Sequence, residues 1–195
     1  MESQFKYCPR CASNMAFSKS EYDHVERNTC MACGYIDYNN SKPAASALIV
    51  NDKNEVLLVK RAWYPFKGLL DIPGGFVEGG EHPEDGCKRE LMEELGVKVE
   101  LDELFDIEMD VYADGTEESV KNVSGHGVYV MSIYYMAHIV SGDIKPTDEI
   151  AGYEWVPVKR LPAMIDNVAF TANQNVLKKL YYSGDRYYDE PGKIY

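Results

Sequence analysis

"GGFVEGGEHPEDGCKRELMEELGV", residues 74–97, places a glycine-rich loop directly before a short acidic segment. Pro83 suits the first position of a helix and Gly96 suits the residue that ends one, so we predict a helix over residues 83–95. Its first turn is acidic, which the positive N-terminal end of the helix dipole favours. The stretch therefore predicts a loop followed by a helix with a marked concentration of negative charge.

Three carboxylates share one face of this helix, at spacings i, i+3 and i+4: Glu90, Glu93 and Glu94. Like charges at these spacings destabilise a helix by about 0.2–0.5 kcal/mol per pair. Divalent cations reverse that penalty, because Mg²⁺ prefers carboxylate oxygens and keeps waters that a diphosphate can replace. An apolar stripe on the other side predicts core packing, with Cys87 as a small core residue. The alternative interpretation is a solvated acidic helix behind a flexible loop.

The loop can add further acidic groups to this face. Its glycines allow backbone conformations that fold Glu78 and Glu81 back toward the helix. Arg89 can hold one carboxylate in a fixed orientation through a bidentate pair. We therefore expect an ordered cluster of carboxylates around one arginine.

Composition excludes several classes of partner. The chain has 195 residues, with 20 Lys and Arg against 32 Asp and Glu, and the net charge of −12 opposes binding to nucleic acid or anionic membranes. The longest apolar run, residues 44–50, is too short to span a bilayer, and "MESQFKYCPR" at the N-terminus lacks the features of a signal peptide. We expect a cytoplasmic protein that contacts neither nucleic acid nor membrane.

Four cysteines form two C-x2-C pairs, with 18 residues between the pairs: Cys8, Cys11, Cys30 and Cys33. This spacing is typical of a structural Zn²⁺ site, in which four thiolates close a tetrahedral shell. The alternatives are two disulfides in an exported domain, or buried free thiols.

The segment around these cysteines, residues 1–42, has five basic and five acidic side chains and is therefore neutral. A neutral module lacks the basic surface of a nucleic-acid-binding domain. Its aromatic residues could stack on bases, but in so small a module they favour docking on the rest of the chain or on a second copy, as a homodimer.

Strand patterns dominate the remainder of the chain. Runs of β-branched and aliphatic residues predict strands at 44–50, 55–61, 68–72, 97–112, 127–140 and 152–158. An amphipathic pattern predicts a final helix over residues 171–183. Several strands with two helices favour an α/β protein with a mixed sheet between helices.

The acidic stretch resembles the Nudix box of the Nudix hydrolases at every defining position: Gly75, Glu81, Arg89, Glu90, Leu91, Glu93, Glu94, Gly96 and Val97. The resemblance extends from about residue 43 to about residue 180, and the cysteine module is similar to the one that precedes this domain in NADH pyrophosphatases. It implies an α/β/α sandwich around a mixed sheet, preceded by a small zinc ribbon. The expected domains are the ribbon at 1–42, the Nudix domain at 43–183 and a C-terminal tail at 184–195.

The resemblance also implies a function, which is hydrolysis of a diphosphate linkage in a nucleoside diphosphate derivative with Mg²⁺ or Mn²⁺. By position, the metal ligands would be Glu90, Glu93 and Glu94, with Glu78 as an additional one. Arg89 would orient the cluster, Gly75 would shape the loop, and Glu81 would fold toward the same site. Glu149 matches a place where family members often have a ligand or a base, so the proton acceptor would be Glu94 or Glu149. The alternative is a catalytically weak module that senses nucleotides or binds proteins.

The substrate is less defined than the reaction. NADH, ADP-ribose and dinucleoside polyphosphates all fit, but residues 98–126 lack the "SQPWPF" motif of NADH pyrophosphatases, and Tyr112 stands where one ADP-ribose-hydrolysing group has proline. We expect Arg61, like Lys60 and Lys67, to be a solvated surface residue rather than a phosphate contact. We expect the nearby aromatics to pack in the core rather than stack on a base: Trp63, Tyr64 and Phe66.

Overall fold

The first compact unit is a small three-stranded sheet. The structure, a computed structural model, describes residues 5–19, 24–112 and 128–187. Strands β1 (Met15–Lys19), β2 (Glu26–Cys30) and β3 (Ile36–Asp37) pair antiparallel in the order β1-β2-β3. This unit ends at Ser41, and a second compact unit begins at Lys42.

A four-stranded mixed sheet forms the centre of the second unit. Its strands are β4 (Lys42–Ile49), β7 (Gly74–Phe76), β8 (Lys98–Tyr112) and β9 (Val128–Ser141), in the order β7-β4-β9-β8. β4 runs parallel to β9, whereas β7 and β8 run antiparallel to their neighbours. Within the described residues, β8 pairs on one side only and is an edge strand.

A second, smaller sheet has the order β10-β5-β6 and is antiparallel throughout. Its strands are β5 (Glu55–Arg61), β6 (Leu70–Asp71) and β10 (Ile150–Pro157). β6 is short because the chain turns at Pro73, and the residues that follow leave this sheet to join β4 as β7.

Two long helices cover the strands, α1 (Pro83–Leu95) and α3 (Thr171–Tyr187), and a short α2 (Leu161–Met164) precedes α3. Successive residues of β4 and β5 enter two different cores, because side chains alternate along a strand. The core under α1 contains Ala45, Ala47, Leu57, Val59, Cys87, Leu91 and Leu95. The core under α3 contains Leu48, Val56, Leu58, Tyr134, Val176, Leu177 and Leu180. The expected α/β/α sandwich is confirmed, and Cys87 is a buried core residue as predicted.

The differences from the predicted elements lie mainly at boundaries. The strand predicted over 68–72 is only Leu70–Asp71, and Gly74 and Gly75, which follow Pro73, begin β7, a strand that was not predicted. α3 continues to Tyr187, past the expected end at residue 183, even though Gly184 lowers helix propensity. Of the tail expected at 184–195, residues 188–195 lie outside the described residues. No helix in the described ranges is long and apolar enough to cross a membrane.

Candidate functional site

Helix α1 begins and ends where its sequence predicts. Nδ1 of His82 accepts a hydrogen bond from the backbone N–H of Glu84 at 3.4 Å, so His82 caps the helix that Pro83 opens. Gly96 takes a left-handed conformation with φ of 70°, and its N–H bonds the carbonyl of Met92 at 3.0 Å. The buried stripe of α1 fixes its rotation, so the three glutamates lie on another face, where Glu93 is exposed and Glu90 and Glu94 are half-buried.

The glycine pair of β7 lies against the acidic face of α1. A Cβ on Gly75 would lie 2.5 Å from Cδ of Glu90, so only glycine lets this carboxylate approach the strand. A Cβ on Gly74 would lie 2.3 Å from the carbonyl oxygen of Ala45, so the close pairing of β7 with β4 requires glycine at this position. The absence of a side chain at Gly75 therefore allows the short distance between β7 and α1.

Arg89 is the centre of the carboxylate cluster. Its Nε and one terminal nitrogen bind the two carboxylate oxygens of Glu81 at 2.9 and 3.0 Å. The other terminal nitrogen donates to Glu90 at 2.8 Å and to Glu93 at 3.0 Å. A further bond to the carbonyl of Phe76 at 3.0 Å ties the guanidinium to the end of β7.

The carboxylates of the cluster differ in electrostatic environment. Hydrogen bonds from Arg89 lower the pKa of Glu81 to about 2. Burial raises the pKa of Glu90, although Arg89 opposes the rise. Burial raises the pKa of Glu94 to about 8, and three nearby carboxylates add to the rise: Asp71, Glu90 and Glu149. Negative charge is therefore concentrated beside a buried group, which is the environment that a bound cation stabilises.

Glu94 and Glu149 approach the same place from different elements. Glu94 accepts a hydrogen bond from the backbone N–H of Gly74 at 3.2 Å. Glu149 is exposed, its carbonyl accepts from Ala62 at 3.1 Å, and its charge reaches Glu94. The side chain of Glu78 is exposed, whereas its backbone N–H donates to Glu81 at 3.0 Å.

Carboxylate oxygens are the hard donors that Mg²⁺ and Mn²⁺ prefer, and the space left by Gly75 lets them crowd together, so these residues fit such an ion. In the structure, the guanidinium of Arg89 binds three of the carboxylates, those of Glu81, Glu90 and Glu93. Among the described residues, only the four cysteines bring three or more ligand atoms within 4.8 Å of one another.

A pocket adjoins the cluster through Gly74 and Gly75, which line both. Asp71 is buried in its wall and accepts from Nδ2 of Asn173, from the backbone N–H of Ile72 at 2.9 Å and from Arg61 at 2.5 Å. Tyr134 donates to Asn173 at 2.6 Å. Burial raises the pKa of Asp71 to about 6 in spite of the neighbouring arginine.

Arg61 was predicted to be a solvated surface residue, and this prediction is wrong. Its guanidinium lies in the pocket wall and also lies 5.0 Å from the ring centroid of Phe170. Neither Asp71, the partner of Arg61, nor Asn173 was predicted as a site residue. Asn173 lies near the beginning of α3, 102 positions after Asp71. An aspartate between aliphatic residues in "LLDIP" was the available signal, because a buried carboxylate requires a partner.

Aromatic residues complete the pocket. The rings of Tyr112 and Phe170 stack with centroids 5.6 Å apart, and Phe76 meets Tyr112 edge-on at 5.8 Å. Three aromatic residues after β5 were predicted to pack in the core. The prediction is wrong for Trp63 and Tyr64, which are exposed. Phe66 is partly buried and packs edge-on against Phe170 at 4.9 Å.

The four cysteines of the first unit form a second site. The Sγ atoms of Cys8 and Cys33 are 3.7 Å apart, and those of Cys11 and Cys30 are 3.5 Å apart. These distances fit ligands of one ion, because a tetrahedral Zn²⁺ with Zn–S of about 2.3 Å places its sulfurs about 3.8 Å apart. The cysteines are free, and these sulfur pairs are farther apart than the about 2.05 Å of a disulfide, so the structure favours the zinc site over the disulfide alternative.

Both cysteine pairs occupy the same kind of turn. Ala12 and Gly34, each directly after the second cysteine of its pair, have φ of 59° and 73°. Their N–H groups bond the carbonyls of Cys8 and Cys30 at 2.8 and 2.9 Å. Hydrogen bonds from Ser13 lower the pKa of Cys11 to about 6, whereas hydrogen bonds to the neighbouring thiols raise the pKa of Cys33 to about 12, so the thiols share protons when no metal is bound.

The chain belongs to the Nudix family, because the sequence profile of the NUDIX domain matches residues 40–178. The profile described as Nudix N-terminal, a zinc ribbon, matches residues 6–39. The chain has a similar fold to a crystal structure of a NUDIX hydrolase from Nitrosomonas europaea, with a TM-score of 0.71, 26% identity and 97% of each chain covered.

Two curated relatives indicate the range of activities among similar proteins. An ADP-ribose pyrophosphatase of Methanocaldococcus jannaschii is 33% identical over 60% of this chain and 62% of its own length. The NAD-capped RNA hydrolase NudC of Chromobacterium violaceum is 29% identical over 82% of this chain and 52% of its own length. The chain therefore spans between about half and two thirds of the length of these two relatives.

Proposed function

We propose that the protein hydrolyses a diphosphate linkage in a nucleoside diphosphate derivative, with Mg²⁺ or Mn²⁺ held by Glu90, Glu93 and Glu94. The observation that carries this proposal is the close contact of Gly75 with Glu90 beneath an arginine that binds two further glutamates. Membership of the Nudix family supports it. Glu78 stays a predicted additional ligand.

Bound divalent cations would supply charge neutralisation for the diphosphate and a nucleophilic hydroxide at neutral pH. The protein's own contribution is positional. Arg89 fixes the carboxylates of Glu81 and Glu90, and β7 holds Glu94 through the N–H of Gly74. Fixed oxygens lose little freedom when substrate arrives, which is how positioning lowers a reaction barrier.

The proton acceptor in this proposal is Glu94 or Glu149, because the two carboxylates are close enough for the charge of Glu149 to raise the pKa of Glu94. Glu149 lies in an exposed segment, whereas Glu94 is anchored to β7. If Glu149 is the base, Glu149→Gln should remove the acidic limb of the pH–rate profile together with most of the turnover. If Glu94 is the base, the limb should remain and move to lower pH, because Glu149 raises the pKa of Glu94.

The class of substrate is inferred from similar proteins and not from a single side chain of this one. The relatives named above act on ADP-ribose and on NAD-capped RNA, as their names state, and both compounds contain a diphosphate between nucleosides or sugars. We infer a small nucleotide substrate of this kind. A cytoplasmic location, the absence of nucleic-acid partners and a homodimer stay predictions.

A substrate panel tests the proposed activity. NADH, ADP-ribose, diadenosine polyphosphates, nucleoside triphosphates and nucleotide sugars are incubated with Mg²⁺, and the products are identified by mass. We expect cleavage within the phosphate chain, which Glu93→Gln should abolish. Tight nucleotide binding with no turnover of any compound would instead favour the nucleotide-sensing alternative.

A further inference from the structure

We propose that Arg61 is the specificity-determining residue of a nucleobase subsite in the pocket that borders the carboxylate cluster. This inference deepens the proposed function and rests on it, because a nucleotide whose diphosphate lies at α1 needs a place for its base. The subsite would take a flat heteroaromatic ring that carries hydrogen-bond acceptors.

The pocket begins where the carboxylate cluster ends. Gly74 and Gly75 line it, and the same two residues contact Glu94 and Glu90. A ligand that extends from the acidic face of α1 along β7 therefore enters this pocket. The far wall comes from Phe170 and the start of α3. Directly before them, the N–H of Ala169 donates to the carbonyl of Leu70 in β6 at 2.7 Å.

Arg61 is held rigidly in the wall of this pocket. Its Nε donates to the carbonyl of Pro65 at 2.8 Å, and one terminal nitrogen donates to Asp71. Asp71 is itself fixed by Asn173, which receives a hydrogen bond from the buried Tyr134. Because the guanidinium is already ordered, it loses little conformational freedom on binding a ligand.

The donors of Arg61 favour an uncharged acceptor. Guanidinium has five N–H donors, and its bonds to Pro65, Asp71 and Tyr112 use three of them within the described part of the chain, the last at a long 3.4 Å. Asp71 already neutralises the charge, so a second anion gains less there than a polar ring atom. Every nucleobase presents ring nitrogen or carbonyl acceptors, which arginine reads well.

Aromatic surface lies beside these donors. The ring of Phe76 is 39% exposed and stands edge-on to Tyr112, whose ring stacks on Phe170. Bases stack on such rings largely irrespective of sequence, so the rings would supply affinity and Arg61 would supply discrimination.

Calorimetric titration without divalent cations separates this inference from the proposed activity. The probes are adenosine, guanosine, uridine and ribose, which carry no phosphate for the metal-free glutamates to repel and differ in whether a base is present and in the acceptors it carries. The variants are Arg61→Lys, which keeps a charge beside Asp71 but loses the planar donor group, and Phe76→Leu, which removes an exposed ring. Lys60→Met is the matched control, because Lys60 is the exposed neighbour on β5.

We expect at least one nucleoside to bind the unaltered protein at least about tenfold more tightly than ribose, since base stacking and hydrogen bonding supply affinity that the sugar lacks. Arg61→Lys should change the ranking of bases, Phe76→Leu should weaken all nucleosides alike, and Lys60→Met should change nothing. Equal binding of nucleosides and ribose, or an unchanged ranking in a folded Arg61→Lys variant, would overturn the inference. Base-dependent binding that needs Arg61 would support it even if the substrate panel showed no hydrolysis.

Discussion

Arg89 and Glu81 form a two-point ion pair across the loop that precedes α1, with N–O distances of 2.9 and 3.0 Å. The same guanidinium binds Glu90, Glu93 and the end of β7. One arginine therefore connects the loop, the helix and the strand that make up the acidic site. Its planar donor group, rather than its charge alone, makes these simultaneous contacts.

Arg89→Lys tests this role, because lysine keeps the charge but cannot bind both oxygens of Glu81 in a plane. We expect turnover to fall at least about tenfold, since misplaced catalytic groups lower rates strongly. Steady-state kinetics at saturating Mg²⁺ measures the effect. Lys88→Arg, on the exposed neighbour, is the control, and equal rates for both variants would contradict the role.

Glu94→Gln separates a metal ligand from general acidity. Glutamine keeps size and can still accept from Gly74, but it removes a negative donor, so turnover should fall by about a hundredfold or more. Without metal, stability above pH 8 should rise, because the buried carboxylate, whose pKa is raised to about 8, is no longer ionised there. Glu84→Gln, on the exposed first turn of α1, should leave turnover nearly unchanged. Comparable losses in both variants would mean that the assigned ligand is wrong.

Gly75→Ala should displace Glu90, because the added Cβ would lie 2.5 Å from its carboxyl carbon. We expect turnover to fall at least about tenfold while far-ultraviolet circular dichroism stays the same, as a positional change at a catalytic group predicts. Gly79→Ala is the control, since a Cβ there meets nothing within 4 Å. A fully active Gly75→Ala enzyme would show that the close approach has no role.

Asp71 should give the protein a measurable pH dependence. Its pKa rises from 3.8 to about 6 in the fold, chiefly through burial. The protonated form of Asp71 therefore stabilises the fold below pH 4, and this contribution is lost as the pH rises through 6. The shift in pKa corresponds to a loss of about 3 kcal/mol in the free energy of unfolding. Urea unfolding of the unaltered protein and of Asp71→Asn from pH 4 to 7, without added divalent cations, checks this. The stability of the unaltered protein relative to the variant should decline over that range, and a constant difference would refute the assignment.

The cysteine cluster should contain about one zinc ion per chain, which elemental analysis of reduced, freshly purified protein measures. Cys8→Ser or Cys30→Ser should lower zinc content and solubility, because structural zinc contributes to folding. Cys87→Ala should keep the zinc, since Cys87 lies in the core under α1. Zinc-free protein with normal solubility would exclude the site.

The sequence predicted elements whose signals are local. Helix α1 begins and ends as predicted because Pro83 and Gly96 mark its boundaries, and β5 has the predicted bounds, Glu55–Arg61. β7 was missed because two glycines carry no strand propensity, and its pairing with β4 is a tertiary contact. Only that pairing explains why the backbone passes so close to Glu90.

The site residues also differ in whether local sequence or tertiary structure brings them together. Arg89, Glu90, Glu93 and Glu94 all lie on α1, so helical geometry alone brings them together. Arg61, Asp71 and Asn173 meet only after β5, β6 and α3 have assembled, and no local pattern announces that contact. A basic residue at the end of a strand looks solvated until the partner that buries it is known.

Edge strand β8 has a consequence for colloidal behaviour. Acidic residues recur along it, including Asp106, Glu108 and Asp110, and Lys179 binds the first two. If a second copy added its own β8 antiparallel to this edge, carboxylates would lie opposite carboxylates, and like charges across a strand pair repel. The charge pattern thus discourages open-ended sheet growth and the aggregation that exposed edges invite. High salt, which screens that repulsion, is the condition under which concentrated solutions of the protein should first become turbid.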